Sequence, residues 1–125
     1  MNVLVVDDKR VIGDFFDFTL GYYGHTIKVV HDPQEAIPAA QKEHFDVAFL
    51  DIIMPKKDGF ATLVDIFKDK ELKKIPVLIF STLSQEQDVQ KGLKLGAVGY
   101  VNKTFFDFDN LKSKIEEAVK KGVSR

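Results

Sequence analysis

Val3-Leu4-Val5-Val6-Asp7-Asp8-Lys9-Arg10 opens the chain with four apolar residues that stop abruptly at two carboxylates. Four later runs repeat the form: Thr26-Ile27-Lys28-Val29-Val30, Val47-Ala48-Phe49-Leu50, Pro76-Val77-Leu78-Ile79-Phe80 and Gly99-Tyr100-Val101. All five are short, rich in β-branched and aromatic residues, and bounded by Asp, Gly, Pro or Ser. Three are apolar on both alternating faces, as strands of a parallel sheet are when helices cover both sides.

The stretches between them are amphipathic. Val11, Phe15, Phe18 and Leu20-Tyr22 recur at helical spacing and stop at Gly24, and the Phe15, Phe16, Phe18 cluster reads as core packing. Asp32 before Pro33 reads as a cap followed by proline at the first helical position, opening a helix through Ala40. Leu63, Ile66 and Phe67 mark a third helix. Val89, Leu93 and Leu95 mark a fourth, ending at Gly96, with Ser84 a candidate cap. Asp109 or Asn110 caps a fifth, with Leu111, Ile115, Ala118 and Val119 on its buried face and Lys112, Lys114, Lys120 and Lys121 on a solvated one. Five βα units joined by right-handed crossovers predict an α/β doubly wound parallel sheet of five strands with five helices, one domain over residues 1–125.

Composition narrows the function. With 125 residues the chain is long enough for one core and too short for two. Eighteen basic against 19 acidic residues gives a net charge of −1, which argues against a general nucleic-acid binder. The absence of cysteine removes disulfides, thiolate nucleophiles and Cys-based zinc sites, and the three histidines form no metal-ligand spacing. No apolar run reaches membrane-spanning length, and the start lacks a basic segment ahead of its apolar stretch, so a cytoplasmic protein with no membrane partner is expected. Residues 1–65 hold 6 basic and 11 acidic side chains, and residues 66–125 hold 12 and 8. An acidic half suits a cation as ligand.

In an open α/β sheet, ligands bind beyond the carboxyl ends of the strands. Run one ends in Asp7-Asp8, run three in Asp51, run four in Ser81, and run five leads into Lys103. Three carboxylates at one edge repel each other, and a divalent oxygen-loving cation such as Mg²⁺ relieves that while keeping open positions. An open position accepts a phosphoryl oxygen, with a lysine ammonium and a serine hydroxyl for two more. Asp51, lying centrally, is then the candidate nucleophile. Taken singly, Asp7-Asp8 would read as helix caps, Asp51 as a turn residue and Lys103 as a solvated lysine; their joint placement at one edge sets those readings aside.

Asp7-Asp8, Asp51 followed by Met54-Pro55 and Asp58-Gly59, then Ser81, Tyr100 and Lys103, resemble the receiver domain of two-component response regulators, with the chemotaxis regulator the nearest architectural type. The resemblance implies the flavodoxin-like sheet order 2-1-3-4-5. It spans essentially the whole chain. It implies Mg²⁺ held by Asp8, Asp51 and the backbone carbonyl of Ile53, with Asp7 acting through water. It implies phosphoryl transfer to Asp51 from a phosphohistidine on a sensor histidine kinase or phosphotransfer protein, with Lys103 and Ser81 holding the phosphoryl oxygens. Ser81 and Tyr100 would then switch the surface of helix four, strand five and helix five, residues 85–120, toward a downstream protein target. Such a protein catalyses its own phosphorylation without being a conventional turnover enzyme.

The sequence departs from the family pattern in three places. Thr104 follows Lys103 where most receivers have proline across a cis peptide; a non-proline cis bond costs about 2.5–4 kcal/mol, so the fold enforces it or the loop is trans. Thr82 replaces the usual Ala or Gly, narrowing access. Ile53 and Leu83 are apolar at positions that tune hydrolysis, which implies a long-lived phospho-state. Phe105, Phe106 and Phe108 cannot all easily be buried before the last helix, so one belongs to a partner surface. The competing readings are a degenerate receiver that only binds partners, a flavodoxin-like small-molecule binder and an aspartyl phosphatase. Asp7-Asp8-Lys9-Arg10 replaces the Ser/Thr/Gly-rich loop a flavin phosphate needs, and Ile53 stands where the phosphatase needs its acid/base Asp.

Overall fold

A computed structural model describes residues 1–21, 24–54, 57–82, 86–103 and 108–122. Tyr22, Pro55, Leu83, Ser84, Thr104, Phe105 and Phe106 lie outside the described residues, as do the side chains of Val11, Ile53, Met54, Asp58 and Phe108.

Five strands form where the apolar runs lie: β1 Asn2–Val6, β2 Thr26–Val30, β3 Val47–Leu50, β4 Val77–Ser81 and β5 Gly99–Asn102. They pair in the order 2-1-3-4-5, every ladder parallel. A parallel ladder needs a crossover between its strands, and the helices supply it. These are α1 Arg10–Phe16, α2 Ala36–Lys42, α3 Gly59–Lys68, α4 Glu86–Leu95 and α5 Phe108–Lys121.

The pleat divides the core in two. Leu4, Val6, Ala48, Leu50 and Ile79 face α2 and α3, meeting Ala36, Ala39, Ala40, Leu63 and Ile66. Val3, Val5, Val47, Phe49, Leu78 and Phe80 face the other way, meeting Phe16 and Leu20 near α1 and Leu111, Ile115 and Ala118 of α5. Strands β1, β3 and β4 are buried along both faces, which is why they read as unbroken apolar runs.

Several elements differ from the sequence reading. The first helix is α-helical only to Phe16 and continues as a π-helical turn, Asp17–Gly21. The wider turn keeps Phe16 and Leu20 inside and leaves Phe18 82% exposed, so Phe18 is not a core residue. Asp32 does cap, its carboxylate accepting from the Gln34 N–H at 2.9 Å, but what it opens is the 3₁₀ turn Pro33–Glu35 that leads into α2. The fifth helix begins at Phe108, so Asp109 and Asn110 lie in its first turn instead of capping it. Val119 is exposed, because Leu111, Ile115 and Ala118 already complete a stripe at three- and four-residue spacing. Leu93 is likewise exposed on α4, where Gly92 is the buried position.

Gly24 and Gly96, read as helix stops, have φ of +90° and +120°, a region that favours a residue without Cβ. Beyond β3 the chain forms a two-residue antiparallel ladder, Ile53–Met54 with Lys57–Asp58, that feeds α3. Gly59 closes this turn against Ile52: a Cβ there would stand 2.2 Å from the Ile52 Cα, so only glycine lets the helix start this near the site strand.

Candidate functional site

The ladders continue one residue past β1 and β3, and this places the carboxylates. The Asp7 N–H donates to the Val30 carbonyl and the Asp51 N–H to the Val6 carbonyl, both at 3.0 Å. Asp7 and Asp51 are thereby fixed side by side, both almost wholly buried. Asp7 also turns the chain. Its Oδ1 accepts the Lys9 N–H at 2.9 Å, and Lys9 then takes extended dihedrals as the residue preceding α1. His31, just past β2, donates from Nδ1 to the Asp7 carbonyl at 2.9 Å.

Ser81 and Lys103 arrive from the far side of the sheet. Ser81 ends β4 fully buried, and its carbonyl accepts from the Lys103 N–H at 3.0 Å and from the Tyr100 hydroxyl at 3.2 Å. The Lys103 side chain, 9% exposed, reaches across β4 to the carboxylates. Its Nζ lies 2.6 Å from Asp7 Oδ2 and 2.9 Å from Asp51 Oδ2, and 5.5 Å from the centre of the Phe80 ring. These are charge-assisted hydrogen bonds in a water-poor setting, the strong kind.

Oxygens of Asp7, Asp8 and Asp51 all lie within 4.8 Å of one another. Asp8 Oδ1 is buried yet accepts no hydrogen bond. A buried carboxylate oxygen left in that state is costly, and a hard divalent cation is the ligand whose chemistry matches an all-oxygen donor set of this size. The residues present therefore fit a divalent metal.

The spacing of strands and carboxylates anticipates Asp7, Asp8, Asp51, Ser81 and Lys103 as neighbours, and the structure brings all five to one edge. Tyr100 stands one step further out, half-buried, joined to them through Ser81. Burial pushes its phenol pKa up, and the Asp88 and Asp51 carboxylates add to the rise. Thr82 is exposed just past β4. Sequence reasoning missed Lys9 as a member of the site. Its Nζ lies 3.6 Å from both Asp8 Oδ1 and Asp51 Oδ2. Partial burial disfavours its charge, but Asp51, Asp8 and Asp7 outweigh that and hold its pKa above the ordinary lysine value. The available signal was its place directly after the carboxylate pair, from which a four-carbon stem can fold back.

The sequence matches the response regulator receiver domain over residues 3–116, and the chain belongs to that family. Its members are modules of two-component signalling and not conventional turnover enzymes. The fold is similar to that of the Vibrio cholerae chemotaxis protein CheY4, which is 30% identical, with 94% of this chain and 97% of that one covered at a TM-score of 0.84. The receiver domain of Francisella response regulator 1452 is also 30% identical, covering 96% of this chain and 97% of that one at a TM-score of 0.81. The receiver domain of the Pseudomonas aeruginosa PAO1 sensor histidine kinase PA1611 shares the fold at 20% identity and a TM-score of 0.81, covering 95% and 97%. That protein carries a magnesium ion in its active-site cleft. Among the described residues no helix is long and apolar enough to cross a membrane.

Proposed function

We propose that residues 1–125 act as a single receiver domain that accepts a phosphoryl group on Asp51 from a histidine kinase or phosphotransfer protein and thereby controls a protein target. The observation that carries this reading is the pairing of Asp51 Oδ2 with the Lys103 ammonium at 2.9 Å, inside a cluster of three carboxylates.

Each residue has a part its position supports. Asp51 is the nucleophile: one of its oxygens bonds to phosphorus as the P–N bond of the donor phosphohistidine breaks, and that electron pair returns to the imidazole nitrogen. Asp8 and Asp51, with the backbone carbonyl of Ile53, would hold Mg²⁺. Asp7 has one oxygen on the Lys9 N–H and the other on Lys103, which suits a role through water. Bound Mg²⁺ supplies positive charge to the phosphoryl oxygens. Lys103 supplies a second positive charge and is already beside the nucleophile, so little reorganisation is needed when the phosphoryl group arrives. Ser81 offers its hydroxyl to a further phosphoryl oxygen. Because the Tyr100 hydroxyl is bonded to the Ser81 carbonyl, a shift of Ser81 is felt at once in β5. The surface of α4, β5 and α5 is the output face under this reading.

The test is beryllofluoride with Mg²⁺, followed by amide NMR on wild type and Asp51→Asn. Shifts that need Mg²⁺, vanish in Asp51→Asn and extend through residues 85–120 are expected. Shifts confined to the pocket would remove the output face from the proposal. No binding by the wild type would leave a module that only binds partners.

A further inference from the structure

The geometry points to Lys9 as a resident counter-ion that a divalent cation must displace before it can hold Asp8 and Asp51. This rests on the phosphoryl-acceptor reading above and deepens it, by assigning a residue that sets how tightly the cation is bound.

Among the described residues, three carboxylates meet two ammonium groups at this edge, and the two lysines are not equivalent. Lys103 is nearly buried and hydrogen-bonded to Asp7 and Asp51. Lys9 is 53% exposed and stands at ion-pair distance, 3.6 Å, from Asp8 Oδ1 and from Asp51 Oδ2, without a hydrogen bond to the former. Those two residues are the pair assigned to the cation. An ammonium and a divalent cation that share the same two carboxylates repel each other, so both cannot stay. Lys9 is the one able to leave, because its head already reaches water and its stem is flexible. Asp7 is different: its oxygens are committed to the Lys9 backbone and to Lys103, so it offers Lys9 no alternative seat. The site therefore carries a built-in competitor covalently tethered to the residue after Asp8. Its effect is to weaken cation binding while shielding the carboxylates when no cation is present.

The experiment titrates Mg²⁺ into EDTA-stripped wild type, Lys9→Met and Lys9→Arg at constant ionic strength, reading Kd from amide shifts. Lys9→Met is expected to bind Mg²⁺ about five-fold more tightly, the scale of a partly exposed ion pair. Lys9→Arg, which keeps the charge, is expected to stay near wild type. Equal Kd for Lys9→Met and wild type would overturn the inference alone, since the acceptor site would still bind its cation. Weaker binding by Lys9→Met would overturn it too, showing that Lys9 props the carboxylates in place. Failure of both proteins to bind would sink the acceptor reading along with it. Beryllofluoride at saturating Mg²⁺ supplies the remaining check: a defect of Lys9→Met there, with an unchanged Mg²⁺ Kd, would assign Lys9 to the phosphoryl group instead.

Discussion

Among the described residues, the ammonium groups of Lys9 and Lys103 approach Asp51 Oδ2, and Lys103 is the one buried with it. Lys103 bridges Asp7 and Asp51, so truncating it leaves two buried carboxylates facing each other. Removing one partner of such a cluster ordinarily costs about 3–5 kcal/mol, and a site that opens to water on one side belongs at the low end. Lys103→Met is therefore expected to lose about 3 kcal/mol of unfolding free energy without metal, with part of it recovered on adding Mg²⁺. Denaturant titration with and without the ion measures both, and unchanged stability would mean that the bridge is incidental. Asp7, Asp8, Asp51 and Ser81 were legible in the sequence because each ends or follows a strand, which fixes where a short side chain begins, and Lys103 was legible from its place after the fifth run together with the family resemblance. Lys9 was not legible. Where a long flexible stem comes to rest is decided by the charges around it, and those are assembled only when β1 and β3 lie side by side.

The first helix shows what happens when one stretch offers two apolar stripes. Helical spacing joins Val11, Phe15, Phe18 and Leu20, while Phe16 and Leu20 lie four residues apart on a second line. Packing decides. Phe16 meets the rings of Phe49 and Phe80 with centroids 5.0 and 5.5 Å away, and the π-helical turn that follows brings Leu20 in behind it. Phe16→Ala is expected to cost about 3–5 kcal/mol, since it empties the middle of an aromatic cluster. Phe18→Ala is expected to fall within about 0.5 kcal/mol of wild type, as exposed positions do. Equal losses at the two positions in thermal or denaturant unfolding would contradict the π-helical turn. Strand positions were read more securely than helix faces, because a strand buried on both sides has no face to choose. At α5 the same ambiguity left Val119 outside, where four apolar residues compete for a stripe that three fill.

For the molecule as a whole, the site joins the two halves of the chain that differ in charge. Residues 1–65 carry the acidic excess, and Lys103 reaches Asp7 from 96 positions away. The carboxylates are thus held by a contact across the sheet, between the segments beyond β1 and β5, and anything that relieves their repulsion stabilises the entire fold. A ligand that binds only the folded state stabilises it by RT ln(1 + [L]/Kd), about 1.4 kcal/mol at ten times its Kd. For a domain of this length that corresponds to a Tm rise of about 5 °C. Mg²⁺ is expected to produce that rise in the wild type and not in Asp8→Asn, which loses the negative charge of the carboxylate whose Oδ1 accepts no hydrogen bond. NaCl at matched ionic strength separates binding from screening, because screened repulsion would lift both proteins alike. A rise of equal size in Asp8→Asn would place the cation elsewhere, and the repulsion at the edge would then be balanced by Lys103 and Lys9 without it.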